Sequence, residues 1–494
     1  MQNKFYITTS IAYVNAPPHL GFALESVQAD VLARWRRQKG DEVFFLTGTD
    51  EHGAKIARAA EATGKTPRQL VDENSEKFRE LKKALNLSWD NFIRTSDEKT
   101  HWLVAQELWK RLEKSKDLYK KTYRGLYCVG HEAFVTDKDL IPADSQNHSE
   151  RSVGVTLICR DHQKAPEIIE EENWFFKLSK YSKEIELRIK NNELRILPDG
   201  RKNEILSLLE TGLEDISFSR PAKDLSWGVP VPGDETQTMY VWADALSNYI
   251  SGYGGIKNWE KHPADIHLIG KDILRFHTAI WPAMLLSAKL ELPKSVFVHG
   301  HILSDGQKMS KSLGNVVDPF ELAKKYGADA VRYFILREIP SGEDGDFSLE
   351  KFEDRYNGDL ANGIGNFAAR VLTLASTEKE LTGELEYEFT DQIEIAKTAV
   401  EHKLKEFRLN EALEAIWKLI QLGDQYVNEK KPWDKNLSYK EKEHILYNLV
   451  FVLDSVSELL APFLPETAEK ISSSLNKEDK KFKARKIENL FPRL

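Results

Sequence analysis

The sequence predicts an α/β fold in which a parallel-sheet domain is interrupted by an inserted domain and followed by an all-α helical bundle. Strand and helix patterns alternate near the N-terminus, short strand patterns followed by glycine-containing loops return much later, and helical periodicity dominates the C-terminal part. The chain of 494 residues exceeds what one hydrophobic core normally supports, so several domains are expected.

The N-terminal elements follow β-α-β order. Residues 4–9 are rich in β-branched and aromatic side chains and predict a strand, whereas residues 20–38 predict a helix. Residues 42–46 predict the next strand, which ends in a polar loop at 47–53, and helix-favouring sequence resumes at residue 54. This order predicts a parallel sheet that binds ligands at the carboxyl ends of its strands.

The rest of the chain divides into regions that differ in residue composition and pattern. Strand patterns at 265–269 and 295–299 predict the second half of the sheet, and the intervening stretch contains both cysteines and the acidic cluster at 170–172. From about residue 350 apolar side chains recur at helical spacing. The predicted domains are 1–117, first half of the sheet; 118–222, inserted domain; 223–307, second half; 308–355, loop and connecting region; and 356–494, helical bundle.

Composition favours a soluble cytoplasmic protein. The chain is 41% hydrophobic and 30% charged, lacks an apolar run of the roughly 18 residues that a membrane span needs, and starts without the layout of a secretion signal. Its two cysteines are too few for a disulfide framework. The net charge of -8 argues mildly against a nucleic-acid partner, but a total does not describe how charges are distributed.

His19, Leu20 and Gly21 predict a phosphate-binding helix start. Pro17 and Pro18 stiffen the approach, His19 falls at the first turn, and Gly21 lacks the Cβ that would block a flat ring from lying against the backbone. A helix N-terminus with a neighbouring imidazole suits phosphate. The alternative interpretation is a purely structural His19.

The stretch from Lys308 to Ser312 places two lysines and two hydroxyls in one loop between glycines. Two ammonium groups on a mobile loop can close on a triphosphate and neutralise charge as pyrophosphate leaves. Loss of one such contact costs roughly 2.7 to 4 kcal/mol of barrier by analogy with other preorganised donors. The alternative is a solvated surface turn. We predict His19, Gly21, Lys308 and Lys311 as catalytic residues.

Together these two elements resemble the paired signatures of class I aminoacyl-tRNA synthetases. Residues 11–19, 48–53, 240–245 and 270–273 resemble, more narrowly, the methionyl-tRNA synthetase family, over nearly the whole chain from Lys4 onward. The resemblance implies a Rossmann-like catalytic domain, an anticodon-binding bundle, ATP with Mg²⁺, L-methionine and tRNA(Met) as ligands, and a monomer.

The resemblance also implies binding residues. Asp50 would hold the ammonium group of the amino acid, and aromatic walls suit an unbranched, polarizable thioether. The implied methionine pocket is Ile11, Tyr13, Asp50, Trp242, Ala245, Leu246, Tyr249, Ile273, Phe276 and His277. The implied ATP site is His19, Gly21, Gly270, Lys271, Asp272, Lys308, Met309, Ser310, Lys311 and Ser312. Ordinary core packing is the alternative for each single aromatic residue.

Two further residues bear on this site. Arg220 resembles an arginine that points into the catalytic cleft, and its alternative is a surface ion pair. Phe22 departs from the family pattern, which has histidine or asparagine there, and a phenylalanine cannot donate a hydrogen bond to phosphate. We expect His19, Lys308 and Lys311 to compensate in part.

The inserted domain contains a candidate metal site. Cys128 is followed by His131 and Cys159 by His162, each histidine three residues after its cysteine, which suits a tetrahedral structural zinc ion. The resembling family often has a zinc knuckle here, usually with cysteine at the position of His131. A metal-free knuckle is the alternative.

The helical bundle contains candidate anticodon contacts. Asn366 and Arg370 lie four residues apart and share a helix face, and Trp433 follows Pro432. An exposed tryptophan can stack on an unpaired base, whereas a buried one would only anchor two helices.

Three other functions are kept open. They are a synthetase for another apolar amino acid (leucine, isoleucine, valine or cysteine), a nucleotidylyltransferase that needs no tRNA, and an RNA-binding paralogue with weak activity. The chain lacks room for the large editing insertion of branched-chain synthetases, and a nucleotidylyltransferase would not need the bundle.

Overall fold

The computed structural model describes residues 3–129, 133–135, 139–143, 157–161, 163–304, 306–309 and 315–494. Strands and helices alternate in the N-terminal region, as predicted. Its elements are β1 (Lys4–Thr9), β2 (Ala12–Tyr13), α1 (Leu20–Gln38), β3 (Glu42–Asp50), α2 (Ala54–Ala62), α3 (Pro67–Ala84), β4 (Asn91–Arg94) and α4 (Leu103–Lys114). The predicted strand at 4–9 and helix at 20–38 are confirmed.

A second group of strands follows, in which antiparallel pairs dominate. These elements are β5 (Leu118–Cys128), β6 (Ala133–Val135), β7 (Leu140–Pro142), β8 (Leu157–Cys159), β9 (Glu167–Phe176), α5 (Ser182–Lys190), β10 (Arg195–Leu197), α6 (Asp199–Glu210), β11 (Ile216–Ser217) and β12 (Ser219–Pro221). The long β5 and β9 pair along most of their length and form an antiparallel ribbon.

The chain then returns to the parallel sheet and leads into the helical part. The elements are β13 (Pro230–Val231), β14 (Asp234–Met239), α7 (Val241–Ala245), α8 (Asn248–Ser251), α9 (Ile256–Lys261), β15 (Ile266–Gly270), α10 (Trp281–Ser287), β16 (Ser295–His299), β17 (Ile302–Ser304), β18 (Gln307–Lys308), α11 (Pro319–Tyr326), α12 (Ala328–Arg337) and β19 (Gly345–Phe347). A wider helical turn, Phe276–Ile280, precedes α10.

The C-terminal part is mostly helical, as predicted. It consists of α13 (Leu349–Arg355), α14 (Asn366–Ala375), α15 (Tyr387–Lys405), α16 (Leu409–Lys430), α17 (Tyr439–Leu460), α18 (Pro465–Ser473) and the hairpin β20 (Leu475–Glu478) with β21 (Lys481–Ala484). Residues Tyr356–Gly365 join α13 to α14 as a wider helix. Among the described helices, none is long and apolar enough to cross a membrane.

The main sheet joins the two halves that the sequence separates. Among the described residues seven strands form this sheet, in the order β10-β16-β15-β1-β3-β2, and β4 also pairs with β3. Ile7 of the central β1 lies opposite Ile266 on one side and Phe45 on the other, and all pairs in the sheet are parallel. The predicted fold class is confirmed.

The sheet differs from prediction at two positions. Residues 195–197 were assigned to the insertion, but β10 pairs with β16 at the sheet edge, because three residues are too few for a recognisable strand pattern. β3 also continues to Asp50, beyond the predicted end at residue 46. Gly48 permits this extension, since a Cβ there would lie 2.1 Å from the carbonyl oxygen of Ile93 on β4.

The hydrophobic core continues from the sheet into the helical bundle. One cluster of buried side chains includes Leu24 of α1, Val331 of α12, Ile416 of α16 and Leu453 of α17, so the bundle packs directly on one face of the sheet domain. A second cluster, which contains Tyr249, Trp259 and Trp281, fills the opposite face. Helix α1 therefore lies between the sheet and the bundle, and most of its residues are buried.

A fully buried arginine, Arg332 of α12, connects these parts. Its guanidinium lies 2.8 Å from the carboxylate of Asp30 on α1 and donates to the backbone oxygens of Leu85, Pro462 and Phe463 at 3.1, 3.0 and 2.7 Å. Burial raises the pKa of Asp30, but Arg332 and Arg34 outweigh it and hold that pKa below its usual value. One cation thus joins α1, the end of α3, α12 and the turn before α18.

We predict that Arg332→Met will lower the thermal midpoint strongly, because Asp30 would remain buried with less compensation, at a cost of about 3 to 5 kcal/mol. The control is Arg337→Met on the same helix, which breaks the partly exposed 3.0 Å pair with Glu414 and should cost about 1 kcal/mol or less. Differential scanning calorimetry of both variants measures this. Equal shifts would contradict a special role for Arg332.

Candidate active site

The site lies where the connections of the parallel sheet diverge. From β1 the chain passes through α1 to β3 on one side, whereas β15 leads to β16 on the other. The backbone N–H of Ser10, just after β1, donates to the carbonyl of Leu268 in β15 at 2.9 Å. Such a crevice at the carboxyl ends of the strands is the usual ligand site of open α/β sheets.

His19 caps the first turn of α1. Its backbone is extended, and its Nδ1 accepts a hydrogen bond from the N–H of Gly21 at 3.1 Å. A Cβ on residue 21 would lie 2.9 Å from Cε1 of the His19 ring. The glycine at position 21 therefore makes room for the imidazole of His19 itself. The sequence had suggested that it makes room for the ring of a bound ligand. The imidazole lies at the positive end of the helix dipole, where phosphate is favoured.

Phe22 makes a core contact. Its half-buried ring meets Phe78 of α3 edge to face, with ring centroids 4.9 Å apart, and packs against the core shared with the bundle. The residue that departs from the family pattern thus contributes hydrophobic packing.

The lysine-rich loop starts and ends beside the same helix. β17 and β18 form a hairpin in which Leu303 lies opposite Lys308, and Met309 packs against the core that contains α1. After the loop, the carbonyl of Val317 accepts from the N–H of Leu20 at 3.1 Å. The side chain of Lys308 and the residues Ser310, Lys311 and Ser312 lie outside the part that the structure describes, so their predicted roles stay predictions.

The turn after β15 is a polar corner. The ammonium of Lys271 lies 2.6 Å from the carboxylate of Asp344, and Asp272, which follows Gly270 by two residues, lies 3.1 Å from His301. Burial raises the pKa of Asp344, but Lys271 and the backbone N–H of His301 outweigh it and hold that pKa below its usual value. The side chain of Asp272 is exposed.

Sequence reasoning missed two residues of this corner, Glu25 and His299. The buried carboxylate of Glu25 accepts from the N–H and the hydroxyl of Ser10 at 2.6 and 2.7 Å, and it lies 2.8 Å from Nε2 of His299. The other ring nitrogen of His299 donates to the carbonyl of Gly300 at 2.7 Å. These contacts tie α1, the end of β1 and the end of β16 together. No local motif marks them, since Glu25 appears in sequence as one more helical residue.

The residues predicted for the methionine pocket come together on the other side of β1. Trp242 and Phe276 stack with ring centroids 3.8 Å apart, and the rings of Trp242 and His277 meet edge to face with centroids 6.1 Å apart. Asp50 is the last residue of β3 and is 6% exposed. Its backbone lies opposite that of Tyr13 in the parallel pairing of β2 with β3. Leu246 and Tyr249 belong to the core cluster on this face, Ile11 and Ile273 pack against it, and Ala245 is buried.

Hydrogen bonds and burial keep His277 neutral. Nδ1 lies 3.0 Å from the carbonyl of Ile273 and must donate to it, so Nε2 accepts from the hydroxyl of Tyr249 at 2.6 Å. Burial lowers the pKa of His277 to about 4 and raises the pKa of Tyr249 well above its usual value. The pocket wall is therefore uncharged at neutral pH, as a thioether ligand requires.

Arg220 is not a surface ion pair. Its guanidinium pairs at 2.9 Å with Glu171, which is buried although its neighbours Glu170 and Glu172 are exposed, and it lies 4.1 Å above the ring of Tyr127. Both partners belong to the β5–β9 ribbon. Arg220 therefore joins the inserted ribbon to the sheet domain, beside a small cavity lined in part by Gly53 and Tyr240.

Two of the three predicted anticodon residues lie together. Arg370 pairs with Asp424 at 2.8 Å and lies 5.7 Å from the ring centre of Trp433, which is 50% exposed. This exposure contradicts the alternative of a buried helix anchor. Asn366 is exposed one turn earlier on α14.

The two cysteines share a small buried cluster with Val135 and Leu140, separate from the main cores. Cys159 lies opposite Leu140 in the β7–β8 pair. His131 and His162 lie outside the described residues, and within the described ranges no group of three or more His, Cys, Asp or Glu side chains is placed to hold a metal ion. The zinc site stays a prediction.

The neutral state of His277 predicts a pH effect on stability. Its pKa is about 4 in the fold and about 6.5 in an unfolded chain, so the unfolded state takes up a proton first and stability falls by about 3 kcal/mol as pH drops through this window. In His277→Gln this loss is absent. The thermal midpoint of the variant should therefore approach that of the wild type as pH falls from 7 to 5. A constant difference would contradict a neutral His277.

Comparison with known proteins identifies the family. The family model "tRNA synthetases class I (M)" matches residues 5–372, and "Anticodon-binding domain of tRNA ligase" matches residues 387–490. A methionine--tRNA ligase of Brucella suis biovar 1 is 41% identical over 483 residues, which cover 95% of this chain and 91% of that protein. One of Clostridium perfringens is 44% identical over 493 residues, which cover 96% of this chain and 74% of that protein.

Solved structures agree with these matches. Mycobacterium tuberculosis methionyl-tRNA synthetase in complex with methionyl-adenylate aligns with a TM-score of 0.91 at 36% identity and covers 100% of both chains. The free form of that enzyme aligns with a TM-score of 0.84 at 33% identity and covers 100% of this chain and 99% of its own. The present fold thus resembles the adenylate-bound form more than the free form. The chain belongs to the class I tRNA synthetases, and within them to the methionine--tRNA ligase family.

Proposed function

We propose that this protein activates L-methionine with ATP to give methionyl-adenylate and pyrophosphate, and then transfers methionine to the 3′ end of tRNA(Met). The observation that carries the proposal is the junction of two different environments around β1. An uncharged aromatic pocket around Trp242 and His277 lies on one side, and a polar corner around His19 and Lys271 lies on the other. The site can therefore bind an apolar side chain and a nucleotide in adjacent positions.

The first step forms the adenylate. Asp50 holds the ammonium of methionine, and one carboxylate oxygen of methionine attacks the α-phosphorus of ATP. The new oxygen–phosphorus bond forms as the bond to the β-phosphate oxygen breaks, and pyrophosphate leaves with that electron pair. His19, Lys308 and Lys311 neutralise the phosphates, while Gly270, Lys271 and Asp272 position the nucleoside. Positioning and electrostatics supply the rate, because no side chain forms a covalent intermediate.

Mg²⁺ enters this scheme as part of the substrate. Within the described residues no set of three side chains is placed to bind a metal, so we propose that the ATP phosphates carry the ion. The ion would offset phosphate charge as pyrophosphate departs.

The second step transfers the amino acid. A hydroxyl of the terminal adenosine attacks the carbonyl carbon of the adenylate and gives its proton to the phosphate of the adenylate, and AMP leaves with the electron pair of the broken acyl–phosphate bond. We propose that Arg220 acts in the same cleft, because its pair with Glu171 holds it where the inserted ribbon meets the sheet domain.

A structural zinc ion in the inserted domain is a further proposal. It rests on the shared burial of Cys128 and Cys159 and on the spacing of His131 and His162 in sequence. Four ligands leave no open position, so the ion would stabilise the ribbon without catalysing the reaction. Zinc analysis of protein purified without added metal, with Cys159→Ala as the comparison, tests it. We also propose that the protein works as a monomer in the cytoplasm.

Amino-acid-dependent exchange of labelled pyrophosphate into ATP tests the activity. We expect exchange with methionine and far less with leucine, isoleucine, valine or cysteine, because even one methylene of pocket mismatch separates substrates by about 1 to 3 kcal/mol. Exchange with leucine but not with methionine would contradict the proposal. Exchange without charging of tRNA would favour a nucleotidylyltransferase.

The exposed Trp433 provides a separate test of tRNA recognition. Trp433→Ala should weaken charging of tRNA(Met) by roughly 5- to 150-fold, since base stacking is worth about 1 to 3 kcal/mol, and should leave methionine-dependent exchange unchanged. Tyr439→Ala, which removes another exposed aromatic side chain of the bundle, is the control and should charge tRNA normally. Equal loss of exchange and charging in Trp433→Ala would favour a packing role.

A further inference from the structure

A buried carboxylate outside the predicted site joins two histidines. Asp244 lies 2.6 Å from Nδ1 of His52 through one oxygen and 2.6 Å from Nε2 of His101 through the other. All three side chains are at most 1% exposed. A carboxylate buried this deeply is costly unless both oxygens accept hydrogen bonds, so the cluster is built to hold one geometry.

One arm of the cluster holds the chain segment just after Asp50, the residue that would bind the ammonium of methionine. His52 follows Asp50 by two residues, and Gly53 then turns the chain with a φ of 109°. Glu51, between them, is fixed in a different direction by a bidentate pair with Arg94 at 2.7 and 2.9 Å. The end of β3 is thus held from two directions, and Asp244 supplies one of them.

The other contacts of Asp244 lie in the pocket wall. Asp244 belongs to α7, which also contains Trp242 and Ala245. His101 continues from Asp244 to the hydroxyl of Ser251 at 2.8 Å, at the end of α8, which contains Tyr249. One carboxylate therefore connects the three elements that carry Asp50, Trp242 and Tyr249.

The cluster ends before it reaches the cleft. Nε2 of His52 has no hydrogen-bond partner among the described residues, and the His52 ring lies edge to face with Trp102 and Trp227, with ring centroids 5.8 and 5.5 Å apart. A proton relay would need a continuous path to the substrate, and this one stops beside two aromatic rings. The geometry suits positioning and does not suit proton transfer.

We propose that Asp244 is a positioning residue which, through His52 and His101, sets the geometry of the methionine pocket. This inference rests on the proposed function, since it takes methionine as the ligand of that pocket. Asp244→Asn should be disruptive despite its similar shape, because an amide would direct N–H groups at an imidazole that donates to the carboxylate. The expected effect is displacement of α7 and α8 relative to Asp50, which weakens methionine binding more than ATP binding.

The test uses pyrophosphate exchange with the full chain, at varied methionine and at varied ATP. We expect Asp244→Asn to raise the KM for methionine at least tenfold and His52→Gln at least threefold, with the KM for ATP within twofold of the wild type. The matched control is Asp117→Asn, an equally buried carboxylate in the same domain that accepts from Lys180 and Ser287 at 2.8 Å each. It should leave both KM values within twofold.

The outcomes are distinct. A purely structural role would reduce the active fraction, so a lower kcat with both KM values unchanged in Asp244→Asn and His52→Gln overturns the inference. If circular dichroism shows that Asp244→Asn does not fold, His52→Gln and His101→Gln decide by the same KM criterion. A wild-type protein without methionine-dependent exchange would instead overturn the proposed function itself.

Discussion

The ion pair between Arg332 and Asp30 fixes how the helical bundle sits on the sheet. Asp30 lies on α1, the helix that begins at His19, and the same guanidinium binds carbonyl oxygens at the end of the bundle helices. The bundle therefore defines the orientation of the helix whose N-terminus faces the candidate nucleotide site. A buried arginine suits this task because its planar donors satisfy several acceptors in fixed directions, whereas apolar contacts would permit sliding.

The crevice around β1 contains two opposite electrostatic environments, one charged and one apolar. The polar corner keeps charged groups paired with one another, as Lys271 with Asp344. The aromatic wall of the pocket on the other side is uncharged, since His277 is neutral and Trp242 stacks on Phe276, and Asp50 is the carboxylate predicted there for the ammonium group. Ser10 and Glu25 stand at the boundary, where a hydrogen bond from backbone to carboxylate keeps the end of β1 in place.

Local sequence patterns predicted the bounds of several helices and strands well. The helix at 20–38 and the strand at 295–299 have the predicted bounds, because periodicity and propensity are properties of short segments. The stacked pocket residues came from a family resemblance, and the structure brings them together. Positions that depend on long-range contact were missed. Glu25 and His299 are 274 residues apart, and Asp244 and His101 are 143 apart, so no local pattern relates them. The end of β3 was placed too early, because Thr47 and Thr49 look like loop residues until β4 pairs with them.

The core shared by α1, α12 and the bundle holds these parts of the chain against one another. The exposed Trp433 and the capped His19 lie on parts that cannot separate without opening packed side chains to water, at a cost of about 25 cal/mol for each Å² of apolar surface. A ligand that contacts both Trp433 and His19 must match the distance between them, which the shared core fixes. The protein therefore selects a ligand by its length and curvature as well as by its bases and other chemical groups. A ligand that fits poorly must change its own shape to bind.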